Sequence, residues 1–394
     1  MPVTKTGLQN ATALKFRPEQ LAKMEKLLLE RFINLEERQM MIVKIMRYGT
    51  LIFEGIYGIN CKPAPLGTDT IFCMQSISKP VIATLALILQ EEGLVDVTDP
   101  VKQYLPGFDT GGKENIYLWH FLTHTSGFDS GEIYTYMQNE LKAKHGVEPC
   151  DDWREYQQRI ANAHGIELSD VIGGKVFRKY MMEMPLPRKP HKAMSYFNVG
   201  FEIIKDIIEN ESGENIDDYA LTRLFAPLGM NDTHWVVPQE KWDRIIGRHE
   251  NSWGSEWLNS EESFVSQSGA GGLKSTADDM LKYCEMVINE GTYNGARVMS
   301  RASVRAMVAD HNETIEDEWE WGSWSLGWNY HGNKKDDSSI LRSKGAVCHN
   351  GGGATKIYVD KEEGLTMSLC SVGMNGSKVN VIGRMLNMIY AALE

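Results

Sequence analysis

The sequence predicts an α+β fold in which an antiparallel sheet is flanked by helices and carries an inserted, mostly helical lobe. Runs of β-branched and aromatic residues occur towards both ends of the 394-residue chain, whereas residues 116–248 mostly place apolar residues at helical spacing. A chain of this length is too long for one small core. We therefore expect an α/β lobe from residues 1–112 and 255–394, a helical lobe from 113–254, and an active site in the cleft between them.

The N-terminal elements follow from hydrophobic spacing and turn residues. Apolar residues recur every three or four positions over 18–32, which predicts an amphipathic helix. Two β-rich runs, 41–43 and 51–53, flank Tyr48-Gly49 and predict a hairpin. The apolar helix that follows Ser76 is expected to end near Gly93, because glycine is a common C-terminal cap.

The remaining elements complete this pattern. Two adjacent strands are predicted at 356–359 and 365–372, with a turn at 360–364. Apolar residues at helical spacing predict further helices at 177–184, 200–208, 216–224, 277–289 and 379–393.

Composition excludes several classes of partner. The formal net charge of −12 argues against nucleic acid, whose phosphates need a basic face. No stretch approaches the ~20 apolar residues of a membrane span, and the N-terminus lacks the apolar core of a secretory signal. Six scattered cysteines without a Cys-x-x-Cys pair indicate free thiols, so we expect a cytoplasmic protein. The sequence does not indicate an oligomeric state.

Ser76 and Lys79 form the one Ser-x-x-Lys in the sequence. A β-branched and aromatic run, 70–72, precedes Ser76, and an apolar helix, 81–89, follows it. Since positions i and i+3 share a helix face, Lys79 can lie beside the Ser76 hydroxyl, where a neutral amine would act as a general base for a nucleophile. The alternative is a serine that caps the helix and a lysine that extends to solvent.

Two further segments carry groups suited to the same chemistry. Tyr196 and Asn198 precede a helix, and both can point into one cavity, where a tyrosine can relay a proton. Tyr196 could equally be a half-buried aromatic whose hydroxyl has one partner. The run 348–355 contains three successive glycines, whose N–H groups can stabilise an oxyanion. It lacks the Lys-Ser/Thr of a P-loop.

These three pieces, in this order, resemble the serine β-lactamase and penicillin-binding-protein superfamily. The likeness is closest to its class C-like branch, which includes carboxylesterases, D-aminopeptidases and acyltransferases. Phe-Leu-Thr-His-Thr-Ser-Gly at 121–127 is very similar to a signature of that branch. The resemblance extends over roughly residues 40–375 and includes the segments 92–101, 104–106, 227–233 and 271–276.

The resemblance implies a role for each site residue. Ser76 would be the nucleophile, Lys79 its partner base and Tyr196 a second proton carrier. Asn198 would face the substrate, and so would His349 and Gly351 on their strand. The oxyanion hole would combine the N–H groups of Ser76 and Gly352. No metal or organic cofactor is needed.

The third motif departs from the β-lactamase pattern. His349-Asn350-Gly351 stands where that pattern has Lys-Thr-Gly, whose lysine helps to bind the substrate carboxylate. The departure favours a carboxylesterase acting on small esters. A D-aminopeptidase or amidase comes next, then an acyltransferase, and then a β-lactamase or DD-peptidase. A catalytically silent binding or assembly scaffold is the non-enzyme alternative.

Three alternative interpretations have less support in the sequence. His120 and His124 have a spacing that could bind zinc, but no glutamate follows His120 and no third ligand is apparent nearby. The Gly-x-Ser-x-Gly of α/β-hydrolases occurs nowhere in the chain. A tryptophan cluster fits an acyl pocket or ordinary packing equally well; its members are Trp319, Trp321, Trp324 and Trp328.

Overall fold

The structure is a computed structural model that describes residues 5–33, 38–62, 65–315, 323–332, 338–375 and 380–394. It contains two compact units. The smaller unit is Val97–Gly200 together with Ile315, and the larger unit contains the other described residues.

The larger unit is built on an antiparallel sheet, as predicted for an α+β fold. Its six strands run in the order β2-β1-β10-β9-β8-β7, with every neighbouring pair antiparallel. The strands are β1 (Arg38–Arg47), β2 (Thr50–Gly58), β3 (Phe72–Cys73), β4 (Lys274–Ser275), β5 (Thr292–Tyr293), β6 (Ala296–Arg297), β7 (Asn329–Tyr330), β8 (Val347–Gly351), β9 (Thr355–Asp360) and β10 (Leu365–Gly373). Two separate ladders, β3-β4 and β5-β6, lie outside this sheet.

The predicted hairpin is present between β1 and β2. Arg47 pairs with Thr50 across a two-residue turn. Tyr48 and Gly49 occupy that turn with φ of 47° and 72°, the left-handed backbone that a tight hairpin turn of this hand requires. The turn fixes the register, and therefore which face of β1 enters the core.

Helices surround the sheet. They are α1 (Lys5–Ala13), α2 (Pro18–Leu28), α3 (Ser78–Glu91), α4 (Leu118–Leu122), α5 (Ser130–His145), α6 (Trp153–His164), α7 (Leu168–Ile172), α8 (Lys175–Glu183), α9 (Asn198–Ser212), α10 (Ile216–Ala220), α11 (Ala226–Leu228), α12 (Ser255–Leu258), α13 (Glu261–Phe264), α14 (Ala277–Ile288), α15 (Arg301–Met307) and α16 (Val381–Tyr390). Short 3₁₀ turns occur at Gln75–Ile77, Val101–Gln103, Lys113–Asn115 and Gln239–Arg244, and π-helical turns at Leu29–Ile33 and Leu221–Phe225.

The core of the larger unit lies between the sheet and the terminal helices. Leu21 and Met24 of α2 and Met385 of α16 pack with the alternate residues Met41 and Val43 of β1. Helix α14 packs against β1, β9 and β10. Strands β9 and β10 are buried along their whole length, as strands covered on both faces usually are.

The smaller unit has its own apolar cluster. Met137 and Leu141 of α5 pack with Tyr156 and Ile160 of α6 and Tyr180 of α8. Of the predicted helical lobe, 113–254, residues 113–200 lie in this unit.

Residues 201–254 lie instead in the larger unit. Ile245 forms a bridge with Ile71, and His234 forms one with Lys274 of β4. These long-range backbone contacts join the segment to the larger unit, and its local helical pattern gave no sign of them.

Two sequence-based expectations concern the chain as a whole. None of the six cysteines forms a disulfide. No helix in the described residues is both long and apolar enough to cross a membrane.

Candidate active site

Ser76 lies in a backbone turn that is held on one side by the chain around Leu273. The 3₁₀ turn Gln75–Ile77 joins β3 to α3, so Ser76 precedes the α-helix rather than lying within it. Gln75 has φ of 52°, an uncommon backbone for a residue other than glycine. Ser78 Oγ donates to the Gln75 carbonyl at 2.7 Å and accepts the Leu273 amide at 3.0 Å. The hydroxyl of Ser78 thus stabilises the turn that presents Ser76.

The same turn is held on its other side by the adjoining ends of β8 and β9. Thr355 Oγ1 donates to the Met74 carbonyl at 3.1 Å. A Cβ at Gly351 would lie 2.1 Å from that Met74 oxygen, so only glycine permits this approach. The end of β8 therefore lies directly against the residues that lead to Ser76.

Lys79 is buried and hydrogen-bonded to Ser76. Its side chain is fully inaccessible, and Nζ donates to Ser76 Oγ at 3.0 Å and to the Ala270 carbonyl at 2.8 Å. Burial lowers the pKa of Lys79 to about 7, although the negative charge of Glu202 acts in the opposite direction. A large part of the lysine population is therefore neutral near pH 7, and a neutral amine at this distance can remove the serine proton.

Glu202 of α9 organises the loop that carries Ala270. Its carboxylate accepts the amide of Gly269 at 2.9 Å, the amide of Ala270 at 3.1 Å, and the hydroxyl of Ser268. The Ala270 carbonyl is thereby fixed towards Lys79. Both the position and the charge state of the lysine depend on this arrangement.

His349 lies on β8 and is neutral. Its Nδ1 is 2.9 Å from the Asn350 carbonyl, which can only accept, so Nδ1 carries the proton. Burial lowers the pKa of His349 to about 3, and the charge of Lys79 acts in the same direction. Nε2 is buried and has no hydrogen-bond partner within the described ranges. The ring of Trp324 meets the imidazole edge-on at 5.7 Å between centroids.

The glycine run after His349 spans the end of β8 and the turn that leads directly into β9. Gly351 closes β8, and Gly352 to Ala354 form the turn to β9. No hydrogen bond between described residues uses the Gly352 amide. A Cβ at Gly352 would lie 2.5 Å from the ring of Trp253, so this indole covers the turn closely.

Tyr196 and Asn198 lie in the smaller unit. The Tyr196 ring packs on His124 with 4.3 Å between centroids and a tilt of 32°, and His124 Nδ1 accepts the Phe197 amide at 3.0 Å. Asn198 is exposed at the start of α9. The larger unit thus brings together Ser76, Lys79, His349, Gly351 and Gly352, while the roles of Tyr196 and Asn198 remain predictions.

The other sequence candidates have local structural contacts. His120 Nδ1 accepts the Tyr117 amide at 3.0 Å, in the capping box of α4. Trp328 stacks on Tyr283 with 5.9 Å between centroids. Trp319 and Trp321 lie outside the described residues.

Two components of the site could not be identified from the sequence. The Ala270 carbonyl is a backbone group, and backbone acceptors leave no signature in a sequence. Glu202 is one of 53 acidic residues, and nothing in its neighbourhood marks it as the partner of the distant loop at Ala270. Only the tertiary structure reveals the pair.

Comparison with known proteins identifies relatives of this chain. In an alignment 399 residues long, the chain is 24% identical to N-acetylmuramyl-L-alanine amidase of Bacillus subtilis (strain 168). The alignment covers 91% of this chain and 82% of that protein. The chain is 27% identical over 177 residues to penicillin-binding protein 4* of the same strain, covering 45% of this chain and only 33% of the relative.

A similar fold occurs among solved structures. EstCE1, described as a hydrolase with promiscuous acyltransferase activity, superposes with a TM-score of 0.66 at 18% identity, covering 95% of this chain and 98% of that one. The predicted α+β fold of the β-lactamase and transpeptidase type is therefore confirmed. The family model named Beta-lactamase matches residues 33–389, and the chain accordingly belongs to the beta-lactamase family of serine hydrolases.

Proposed function

We propose that this protein is a serine hydrolase that forms an acyl-enzyme on Ser76 and acts on small carboxylic esters. The observation that carries the proposal is the 3.0 Å hydrogen bond between Ser76 Oγ and a buried Lys79 whose pKa is lowered to about 7. A serine that only capped α3 would not need a desolvated amine beside it, and a solvated lysine would not be fully buried.

The reaction begins with proton transfer from Ser76 to Lys79. The neutral amine takes the hydroxyl proton as Oγ attacks the ester carbonyl carbon, and a tetrahedral intermediate forms. When the intermediate collapses, the bond to the alcohol oxygen breaks and the alcohol receives the proton. We assign that proton delivery to Lys79 together with Tyr196. Water, activated by the same groups, then attacks the acyl-enzyme and releases the acid.

The oxyanion hole of the proposal consists of two backbone amides. Gly351 lies against Met74, two residues before Ser76, and we assign the second donor to the next amide along the chain, that of Gly352. With the N–H of Ser76 it would provide two donors for the developing negative charge. Such preorganised donors contribute about 100- to 1,000-fold each to turnover in serine hydrolases.

The neutral state of His349 supports esters over β-lactams. The lysine of the β-lactamase pattern supplies a positive charge at this position, whereas the buried imidazole has a pKa of about 3. A neutral ring gives a substrate carboxylate no ionic partner there. In the proposal His349 and Asn198 instead contribute to the shape and polarity of the substrate site.

Amide hydrolysis is the second candidate. A relative that aligns with 91% of this chain is named an amidase, and an acyl-enzyme mechanism also serves amides. Transfer of the acyl group to an acceptor other than water follows next, then β-lactam hydrolysis. The cytoplasmic location expected from the cysteines stays a prediction.

Hydrolysis of short-chain p-nitrophenyl esters tests the proposal. The wild type should hydrolyse p-nitrophenyl butyrate and react with a fluorophosphonate probe, and Ser76→Ala should lose both. Ser169→Ala, at an exposed serine of α7, is the matched control. Labelling that survives Ser76→Ala would refute the nucleophile, and much faster turnover of a chromogenic cephalosporin than of any ester would refute the substrate class. Absence of both turnover and labelling in the wild type would instead favour a silent scaffold.

A further inference from the structure

Arg248 is a buried guanidinium without an acceptor. Its side chain is only 4% exposed, and Nε, Nη1 and Nη2 all lack a hydrogen-bond partner within the described part of the chain. Burial lowers the pKa of Arg248, and the neighbouring Cys73 thiol, whose own pKa is raised by burial, supplies no negative charge near neutral pH. A buried cation without an ionic or hydrogen-bonded partner is strongly disfavoured in a protein interior.

Two other buried cations of the larger unit, Lys274 and Arg47, have hydrogen-bonded or ionic partners. Lys274 donates to the carbonyls of Trp235 at 2.6 Å and Ser266 at 3.0 Å. Arg47 donates to the Leu14 carbonyl at 2.7 Å and to the Glu363 carboxylate at 3.0 Å. Arg248 differs from both, because no described residue accepts a hydrogen bond from its guanidinium.

The backbone of Arg248 is held firmly in place. Its amide donates to Asn259 Oδ1 at 3.0 Å, and its carbonyl accepts Asn259 Nδ2 at 2.9 Å. The preceding Gly247 donates to Asn60 Oδ1 at 2.9 Å and accepts Gln39 Nε2 at 3.0 Å. A side chain anchored in this way is preorganised for a ligand.

The guanidinium lies at the glycine turn that follows β8. A Cβ at Gly353 would lie 3.1 Å from Arg248 Nη1 and 3.0 Å from the ring of Trp253. The neighbouring Gly352 is the proposed oxyanion donor and also lies under the same indole, which is 44% exposed. The Arg248 guanidinium and the Trp253 indole therefore meet at Gly353, one residue beyond the proposed oxyanion donor Gly352.

We propose that Arg248 and Trp253 form a subsite for a carboxylate-bearing part of the substrate. The inference rests on the proposed esterase function and extends it to a substrate class, esters that carry a free acid. The planar guanidinium can bind both oxygens of a carboxylate, and the indole provides apolar contact for the atoms between the acid and the ester. Because the protein carries a net charge of −12, which repels anions at a distance, a preference for acids has to come from local groups.

The test compares matched esters in two arms. In the first arm the acid is on the acyl part, with p-nitrophenyl hemiglutarate against p-nitrophenyl valerate. In the second it is on the alcohol part, with 4-carboxyphenyl butyrate against phenyl butyrate, each corrected for its alkaline hydrolysis rate. We expect the wild type to prefer the acid at least tenfold in kcat/KM in one arm, which identifies the side that faces Arg248.

The variant Arg248→Met should reduce this preference to near unity, chiefly through KM for the acid-bearing ester. Arg384→Met removes the same charge from the exposed face of α16 and should leave the preference unchanged. A wild type without preference in either arm, or an Arg248→Met variant that keeps it, would overturn the proposal.

A measurement on the wild type alone covers the case in which Arg248→Met does not fold. Glutarate should inhibit neutral-ester hydrolysis competitively, and added salt should weaken the inhibition. Neutral 1,5-pentanediol should not inhibit, and equal inhibition by both compounds would overturn the subsite. Failure of the proposed function would appear separately, as absent Ser76-dependent hydrolysis of the neutral esters.

Discussion

Glu202 is connected to Lys79 through a single residue, Ala270. The carboxylate accepts the Ala270 amide at 3.1 Å, while Lys79 donates to the Ala270 carbonyl at 2.8 Å. The two ends of one residue thus join an acid on α9 to the lysine on α3. Glu202 also favours the protonated lysine electrostatically, so it positions the proposed base and raises its pKa at the same time.

Replacement of Glu202 by glutamine should change the pH dependence of turnover. The negative charge of Glu202 raises the pKa of Lys79. Its loss should therefore shift to lower pH the range in which kcat/KM rises with pH, which is the rising limb of the profile. Weaker fixation of Ala270 should also lower kcat by about tenfold or more. Glu211→Gln, at an exposed glutamate of the same helix, is the control. A limb that stays in place with unchanged kcat would contradict the role of Glu202 as a positioning residue.

The wild-type pH profile should report Lys79 directly. The proposed base is active when neutral, so kcat/KM should rise as the pH passes through about 7 and lysine loses its proton. His349, whose pKa is about 3, is neutral throughout this range and should not contribute. Lys79→Met should reduce kcat by about 100- to 10,000-fold and abolish the limb. An identical limb in Lys79→Met would show that another group titrates.

Gly351 should not accept a side chain. A Cβ there would lie 2.1 Å from the Met74 carbonyl oxygen and equally close to Thr355 Oγ1, and the backbone at Met74 is itself hydrogen-bonded. Gly351→Ala should therefore cost about 1–3 kcal/mol in unfolding free energy and displace the turn before Ser76. We expect a lower Tm and a reduced kcat even at temperatures where the variant is folded. Wild-type values of both would contradict the close packing of β8 on this turn.

His349→Lys should shift the substrate preference towards β-lactams. The substitution introduces a cation at the position where the β-lactamase motif Lys-Thr-Gly has its lysine. We expect kcat/KM for a chromogenic cephalosporin to rise about tenfold relative to an ester, which corresponds to ~1.4 kcal/mol of added carboxylate binding. His349→Gln, which remains neutral, should not produce the rise. Equal behaviour of the two variants would show that charge at this position does not select the substrate.

Local patterns in the sequence were sufficient to predict most of the elements. The hairpin at Tyr48-Gly49 formed as expected because two turn residues with positive φ determine the register. The helix after Ser76 ends as predicted, with Gly93 at φ of 77° and the Leu94 amide bonded to the Leu89 carbonyl. The short strand β8 was implied only by the family resemblance and not by the local pattern, because His349, Asn350 and Gly351 have little intrinsic preference for a sheet.

The contacts that tune the site could not be read from the sequence. Ser76 and Lys79 are three residues apart, so their hydrogen bond follows from local spacing. Glu202 and Ala270 are 68 residues apart, and their hydrogen bond exists only in the tertiary fold. Arg248 likewise becomes notable only once its burial and its missing acceptor are known, since a single arginine between Gly247 and His249 is unremarkable in sequence.

The central claim is that a covalent acyl group forms on Ser76. Intact-protein mass spectrometry during turnover of a slowly hydrolysed ester, followed by peptide mapping, tests it most directly. We predict a mass increase equal to one acyl group, located on Ser76 rather than on Ser78, absent in Ser76→Ala, and accumulating more slowly in Lys79→Met. No adduct during confirmed turnover, or an adduct on another residue that survives Ser76→Ala, would contradict the account.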